Sequence, residues 1–156
     1  PANKRAIVAL VERGGNVRSF HVAIADKPTV TKIVSENISR ESRLFTDESK
    51  LYADMKFFAA HLTVKHSGGE YVRYQDGEAI HSNTVENVFS VFKRGMRGIY
   101  QHCKEKHLHR YLAEFDFRYS NRVALGVDDT GRADRALKGI VGKRLTYRNP
   151  YVTAAE

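Results

Sequence analysis

The chain has 156 residues, with 26 Lys and Arg against 18 Asp and Glu and a formal net charge of +8. That length is one domain's worth and can bury a core without disulfide staples; the single cysteine, Cys103, excludes an intrachain bridge, and no apolar run approaches the roughly 18 residues of a membrane span. A reducing, cytoplasmic setting is expected, and the positive balance points to a polyanionic partner, because clustered Lys and Arg displace counterions condensed on phosphates.

In chain order, "KRAIVALVERGGNVRSFHVAIAD" (4–26) has two runs rich in Val, Ile, Ala and Phe on either side of Gly14, Gly15 and Asn16, which predicts a β-hairpin. "TVTKIVSENI" (29–38) spaces Val30, Ile33, Val34 and Ile38 as a short helix behind a Thr that can cap. "SRLFTDES" reads as a brief strand ending at Asp47, "SKLYADMKFFAA" as a helix with Leu51, Met55 and Phe58 on one side, and "HLTVKH" as another short strand. Residues 67–83 are rich in Gly and polar side chains and read as a loop. A helix over "HSNTVENVFSVFKRGMR" (81–97) follows, breaks around Gly95 and Gly98, and is succeeded by a second helix in "KEKHLHRYLAEFDFRYSNR" with Leu108, Tyr111, Leu112 and Phe115 on its apolar face. Beyond Val123 the pattern weakens to one short helix around 133–140. Together these elements predict an α/β domain with a mixed sheet and helices on its faces.

Charge is uneven along the chain. Lys93, Arg94, Arg97, Lys104, Lys106 and Arg110 stand against one acid, Glu105, and Arg132, Arg135, Lys138, Lys143, Arg144 and Arg148 form a second basic stretch. A solvated helix face accounts for such runs as well as a nucleic-acid surface does.

The chemistry concentrates on the helix over 81–97. Val85, Val88, Phe89, Phe92 and Met96 form the stripe that must be buried. Glu86 and Lys93 are seven positions apart, so they lie about 20° from one another at the edge of that stripe. Asn83 and Glu86 have the spacing of a capping box, which would stabilise the helix start by about 1 kcal/mol without any further role. Asp47 stands at the end of a predicted strand, where α/β sheets gather their chemistry. Carboxylates from separate strands and helices are the usual means of holding divalent metals for phosphoryl transfer, and a basic residue two turns along the glutamate's helix would face the same DNA.

The segment 81–122 resembles the C-terminal half of the catalytic domain of bacterial insertion-sequence DDE transposases, in particular the ISXO-like group. That group has a His-x-Asn-x-x-Glu element, a lysine seven residues on, and a helix ending in an "EFxFRxNxR" pattern. "LFTDES" with Tyr52, and "KHSGGEYVR", are similar to the group's second-aspartate segment and to its link to the glutamate. The resemblance runs from about residue 4 to 122. It implies an RNase H-like fold with the first strand missing: a partial catalytic core over 1–122 and a basic C-terminal extension over 123–156. It also implies Asp47 and Glu86 as metal-binding catalytic acids, Mg²⁺ or Mn²⁺ as cofactor, and Lys93, with Arg94 and Arg97 beside it, on DNA. His81 and Asn83 would support the site. The partners implied are insertion-sequence ends and target DNA, bound by a homo-oligomer associated with the nucleoid and not with a membrane.

The family's first aspartate ends a strand that precedes the opening hairpin, and no residue here replaces it. Glu12 lies in the wrong strand, and Asp26 and Asp54 read as surface residues. The expectation is a truncated copy, inactive as a chain by itself; the alternative is a noncatalytic basic nucleic-acid-binding domain. His102, Cys103, His107 and His109 fit no zinc-ligand spacing and read as surface residues. "SGGEYV" lacks the Gly-Lys-Ser/Thr ending of a phosphate loop and reads as a flexible segment over the crevice. Tyr111, Phe115, Phe117 and Tyr119 read mostly as core, with Tyr119 a candidate DNA contact.

Overall fold

The computed structural model describes residues 5–143, so Arg144 and Arg148 of the second basic stretch lie outside the described residues. The fold is mixed α/β, in two compact units that divide between Ser120 and Asn121.

The first unit opens with the expected hairpin. Strands β1 (Ala6–Val11) and β2 (Val17–Val22) pair antiparallel, Ala6 opposite Val22 and Val11 opposite Val17. Helix α1 (Lys27–Asn37) starts three residues earlier than the Thr-capped helix anticipated. Asp26 is its cap, accepting from the Thr29 N–H at 3.0 Å, and Pro28 fits the first turn because no N–H is needed there. Strands β3 (Arg43–Asp47) and β4 (Ala60–Val64) pair in parallel, Asp47 opposite Val64.

Between β3 and β4 the structure departs from expectation. The predicted helix over 49–60 is a single 3₁₀ turn, Lys50–Tyr52, followed by bends whose bonds run from Ala53 to Lys50 and from Met55 to Tyr52. Met55 and Phe58 have helical spacing, yet each is buried by tertiary packing on Val30 and Val34 of α1, and Asp54 is drawn into an ion pair with Lys27. The segment 67–83, anticipated as a loop, contains a second hairpin, β5 (Arg73–Gln75) and β6 (Glu78–Ile80). Its turn places Asp76 and Gly77 at φ 52° and 78°, the two positive values a type I′ turn requires.

The single mixed sheet anticipated from the pattern is instead three two-stranded sheets, β1–β2, β3–β4 and β5–β6. The outer edge of β2 is covered by side chains: Asp116 accepts from the Ser19 N–H at 2.6 Å, and Ser120 Oγ from the Val17 N–H at 3.1 Å. The other edge of β1 and the β3 edge facing away from β4 hydrogen-bond no strand among the described residues.

Helix α2 (Asn83–Gly95) runs without a break through Gly95 into a π-helical turn, Met96–Tyr100, which ends at Gln101 with φ 48°. Helix α3 (Leu108–Ser120) packs its Leu108 and Leu112 against Phe92 of α2, with Phe115 edge-on to Phe92 at 5.3 Å. Because strand side chains alternate, β1 serves two cores: Ile7 joins this α2–α3 cluster, while Val8 and Leu10 join Val30, Val34, Met55 and Phe58. Helices therefore cover both faces of β1, as anticipated.

In the second unit α4 (Asp129–Lys138) starts four residues before the anticipated 133, because Asp128 caps it through the Gly131 N–H at 2.8 Å. Arg132 and Arg135 donate to the backbone and side-chain oxygens of Asn121, at 2.9 and 2.6 Å. No helix among the described residues is long and apolar enough to cross a membrane.

Candidate metal and DNA site

Asp47 is the last residue of β3, and its Oδ1 accepts from the Ser49 N–H at 2.9 Å. Ser49 Oγ in turn accepts from the Leu51 N–H, so the carboxylate sits on a tightly turned corner. Burial and, secondarily, the Asp47 charge push the Tyr52 hydroxyl above its ordinary pKa. The parallel register ends β4 level with Asp47, so Lys65 and His66 leave the sheet at the same carboxyl end. Glu48 closes this corner by accepting from the Ser67 N–H at 2.9 Å, which, with the nearby His66, holds its carboxyl below the usual range.

Glu86 reaches the same region from α2. The capping box anticipated on Asn83 does not form, because the helix begins one residue earlier than that reading required. Ser82 is the N-cap, Asn83 is already helical and exposed, and the Glu86 N–H makes its bond to the Ser82 carbonyl at 3.2 Å. The Ser82 hydroxyl is turned from the backbone to the carboxylate, donating to Glu86 Oε1 at 2.6 Å. His66 Nε2 lies 2.7 Å from Ser82 Oγ and 3.3 Å from Glu86 Oε1. Ser82 is buried, whereas the Glu86 side chain is 57% exposed, so one end of the glutamate is held and the other faces outward.

His66 therefore links the strand end next to Asp47 with the helix start that carries Glu86. Sequence reasoning placed it only as the last residue of a strand. The observed strand stops at Val64, and His66 opens a 3₁₀ turn (His66–Gly68) closed by Gly69 at φ 74°. The "SGGEYV" segment, anticipated as flexible, is folded back on this corner: Glu70 accepts from the Lys65 N–H at 3.0 Å, and the Tyr71 ring lies 5.6 Å from His66.

Lys93, Arg94 and Arg97 are exposed on α2 and the π turn, and none is ion-paired with an acid among the described residues. The other supporting residues anticipated are not brought onto the acids. The His81 carbonyl accepts from Arg13 at 3.2 Å, its buried Nδ1 has no hydrogen-bond partner among the described residues, and burial followed by the Arg13 charge lowers its pKa. Asn83 faces solvent. Of the remaining acids, Glu12 takes the Asn16 N–H in the first hairpin, Asp54 pairs with Lys27, and Asp26 caps α1.

Asp47 and Glu86 are hard oxygen donors of the kind Mg²⁺ and Mn²⁺ take, and the outward oxygen of Glu86 has no hydrogen bond among the described residues. Among those residues, no group of three or more His, Cys, Asp or Glu is arranged to hold a metal ion.

The chain matches the ISXO2-like transposase domain over residues 1–120. No curated protein and no solved structure is similar enough to count as a match.

Proposed function

The chain belongs to the ISXO2-like transposase domain family, a family of DNA transposition enzymes, and on that premise we propose that Asp47 and Glu86 are two acids of an RNase H-like site for DNA strand cleavage and transfer. The observation that carries the reading is the corner itself. Asp47 ends β3 at the carboxyl end of the β3–β4 pair, and His66, from the loop that leaves β4 at that end, touches the Glu86 carboxylate of α2. The catalytic core is taken as residues 1–122 and the basic extension as 123–156.

Mg²⁺ or Mn²⁺ bound by the two carboxylates would supply charge stabilisation at the reacting phosphate and a more acidic attacking water or hydroxyl. The chain's own residues do the rest. Asp47 is oriented by its Ser49 bond and Glu86 by Ser82, so neither must be immobilised when DNA arrives. Lys93, Arg94 and Arg97, two turns and more along the glutamate's helix, grip the backbone of the same strand and fix its register. His81 and Asn83 flank Ser82 at the start of α2, and their contribution is to the helix start and not to the acids. An RNase H-like sheet would have one further strand between β1 and β3, on the two edges that carry no strand partner among the described residues, and that strand would bring the third acid.

The test is to locate Mn²⁺ by anomalous scattering in crystals of the chain. Density between Asp47 and Glu86 is expected. Carboxylates more than about 10 Å apart could not share ions spaced at 3.5–4 Å and would sink the reading. The unpaired Lys93, Arg94 and Arg97 also fit a noncatalytic DNA-binding domain. In that case DNA binding is salt-dependent but indifferent to metal.

A further inference from the structure

We infer that Ser82 and His66 are positioning residues that hold Glu86 by Oε1 alone and leave Oε2 free to ligate; the inference rests on Glu86 being a metal ligand. The hydrogen inventory is restrictive. A serine hydroxyl has one proton, and a carboxylate can only accept, so the 2.6 Å contact directs the Ser82 proton to Glu86 Oε1. The Ser82 oxygen must then accept from His66, which requires the proton on Nε2. His66 Nε2 also lies 3.3 Å from Oε1, a close polar contact beside the hydrogen bond from Ser82, so the bonded chain runs from His66 to Ser82 to Glu86.

Both donors are themselves fixed. Ser82 is buried at the N-cap of α2, and His66 is anchored where β4 turns into its 3₁₀ turn, its ring beside Tyr71. A free glutamate would lose side-chain rotamer freedom on binding a metal; here that loss is already met in the fold. Outer partners of this kind typically change metal affinity about 10- to 100-fold. A contact serving only to stabilise the helix start would alter unfolding and leave metal affinity unchanged.

The experiment is a Mn²⁺ titration of the full chain followed by electron paramagnetic resonance, with thermal unfolding recorded for each variant. Ser82→Ala and His66→Ala should each weaken Mn²⁺ binding about 10- to 100-fold. His66→Gln, whose amide N–H can reach the position of Nε2, and Ser82→Thr, which keeps the hydroxyl, should bind within about threefold of wild type. Should Ser82→Ala fail to fold, the His66 pair decides, because that side chain lies on a turn outside both cores. Alanine variants that bind like wild type while Glu86→Gln does not would overturn the positioning role and leave the metal reading standing. Loss of all binding in His66→Ala without rescue by Gln would make His66 a ligand itself and also overturn it. Mn²⁺ binding that is absent, or indifferent to Glu86→Gln, would remove both.

Discussion

The two acids are held by opposite means. Asp47 ends a strand and takes its hydrogen bond from a backbone N–H two residues away, whereas Glu86 stands one turn into a helix and takes its bond from a side chain backed by a histidine of another element. The acids also belong to different cores: β3 lies with Val30, Val34, Met55 and Phe58, and α2 with Leu108 and Leu112. An acid fixed by its own turn tolerates change around it. An acid fixed through tertiary contacts depends on the packing that brings those contacts together.

The largest expected effect is loss of function at either acid. In a chain carrying all three acids, Asp47→Asn and Glu86→Gln should each reduce metal-dependent strand cleavage to background in a plasmid nicking assay, and chelation of the metal should do the same. Next come the cores that support them. Met55→Ala and Leu112→Ala should each cost about 2–5 kcal/mol, read as a lower urea midpoint, because each leaves a cavity in a packed cluster. If the comparison holds, the Leu112 variant weakens Mn²⁺ binding more than the Met55 variant does.

Smaller effects test the surface and the histidines. Replacing Lys93, Arg94 and Arg97 together by Ala should weaken DNA binding for all sequences alike and reduce the salt slope by about 3, one for each phosphate that is no longer neutralised. An unchanged slope would place the DNA elsewhere. Burial lowers the pKa of His61, on β4 in the half with Asp47, and, together with the Arg13 charge, that of His81, which precedes α2. The unfolded chain then binds more protons than the folded one. Stability is full above the ordinary histidine value of 6.5 and declines as pH falls through it toward the lower folded values. Urea midpoints compared at pH 7.5 and 5.5 should show that decline, and His61→Gln or His81→Gln should each flatten part of it.

What was legible in the sequence follows the same division between local and tertiary causes. The first hairpin, the strand ending at Asp47, and the apolar stripes of α2 and α3 all rest on local pattern. Met55 and Phe58 misled because residues at helical spacing can also be buried from a 3₁₀ turn when another helix supplies the core. The β5–β6 hairpin did have a local signal, Asp76-Gly77, outweighed by the surrounding glycines and polar residues. The helix caps at Ser82 and not at Asn83, so the capping box expected of Asn83 and Glu86 does not form. His66 had no local signal at all: its role depends on a contact with Ser82, sixteen positions along the chain.

The central claim is that Asp47 and Glu86 hold one metal site together, and a double-mutant cycle on Mn²⁺ affinity tests it most directly. If they share the site, Asp47→Asn and Glu86→Gln each weaken binding, and the double variant loses far less than the sum of the two, because either change alone has already broken the pair. Losses that add independently, or a wild-type affinity in either single variant, would contradict the account.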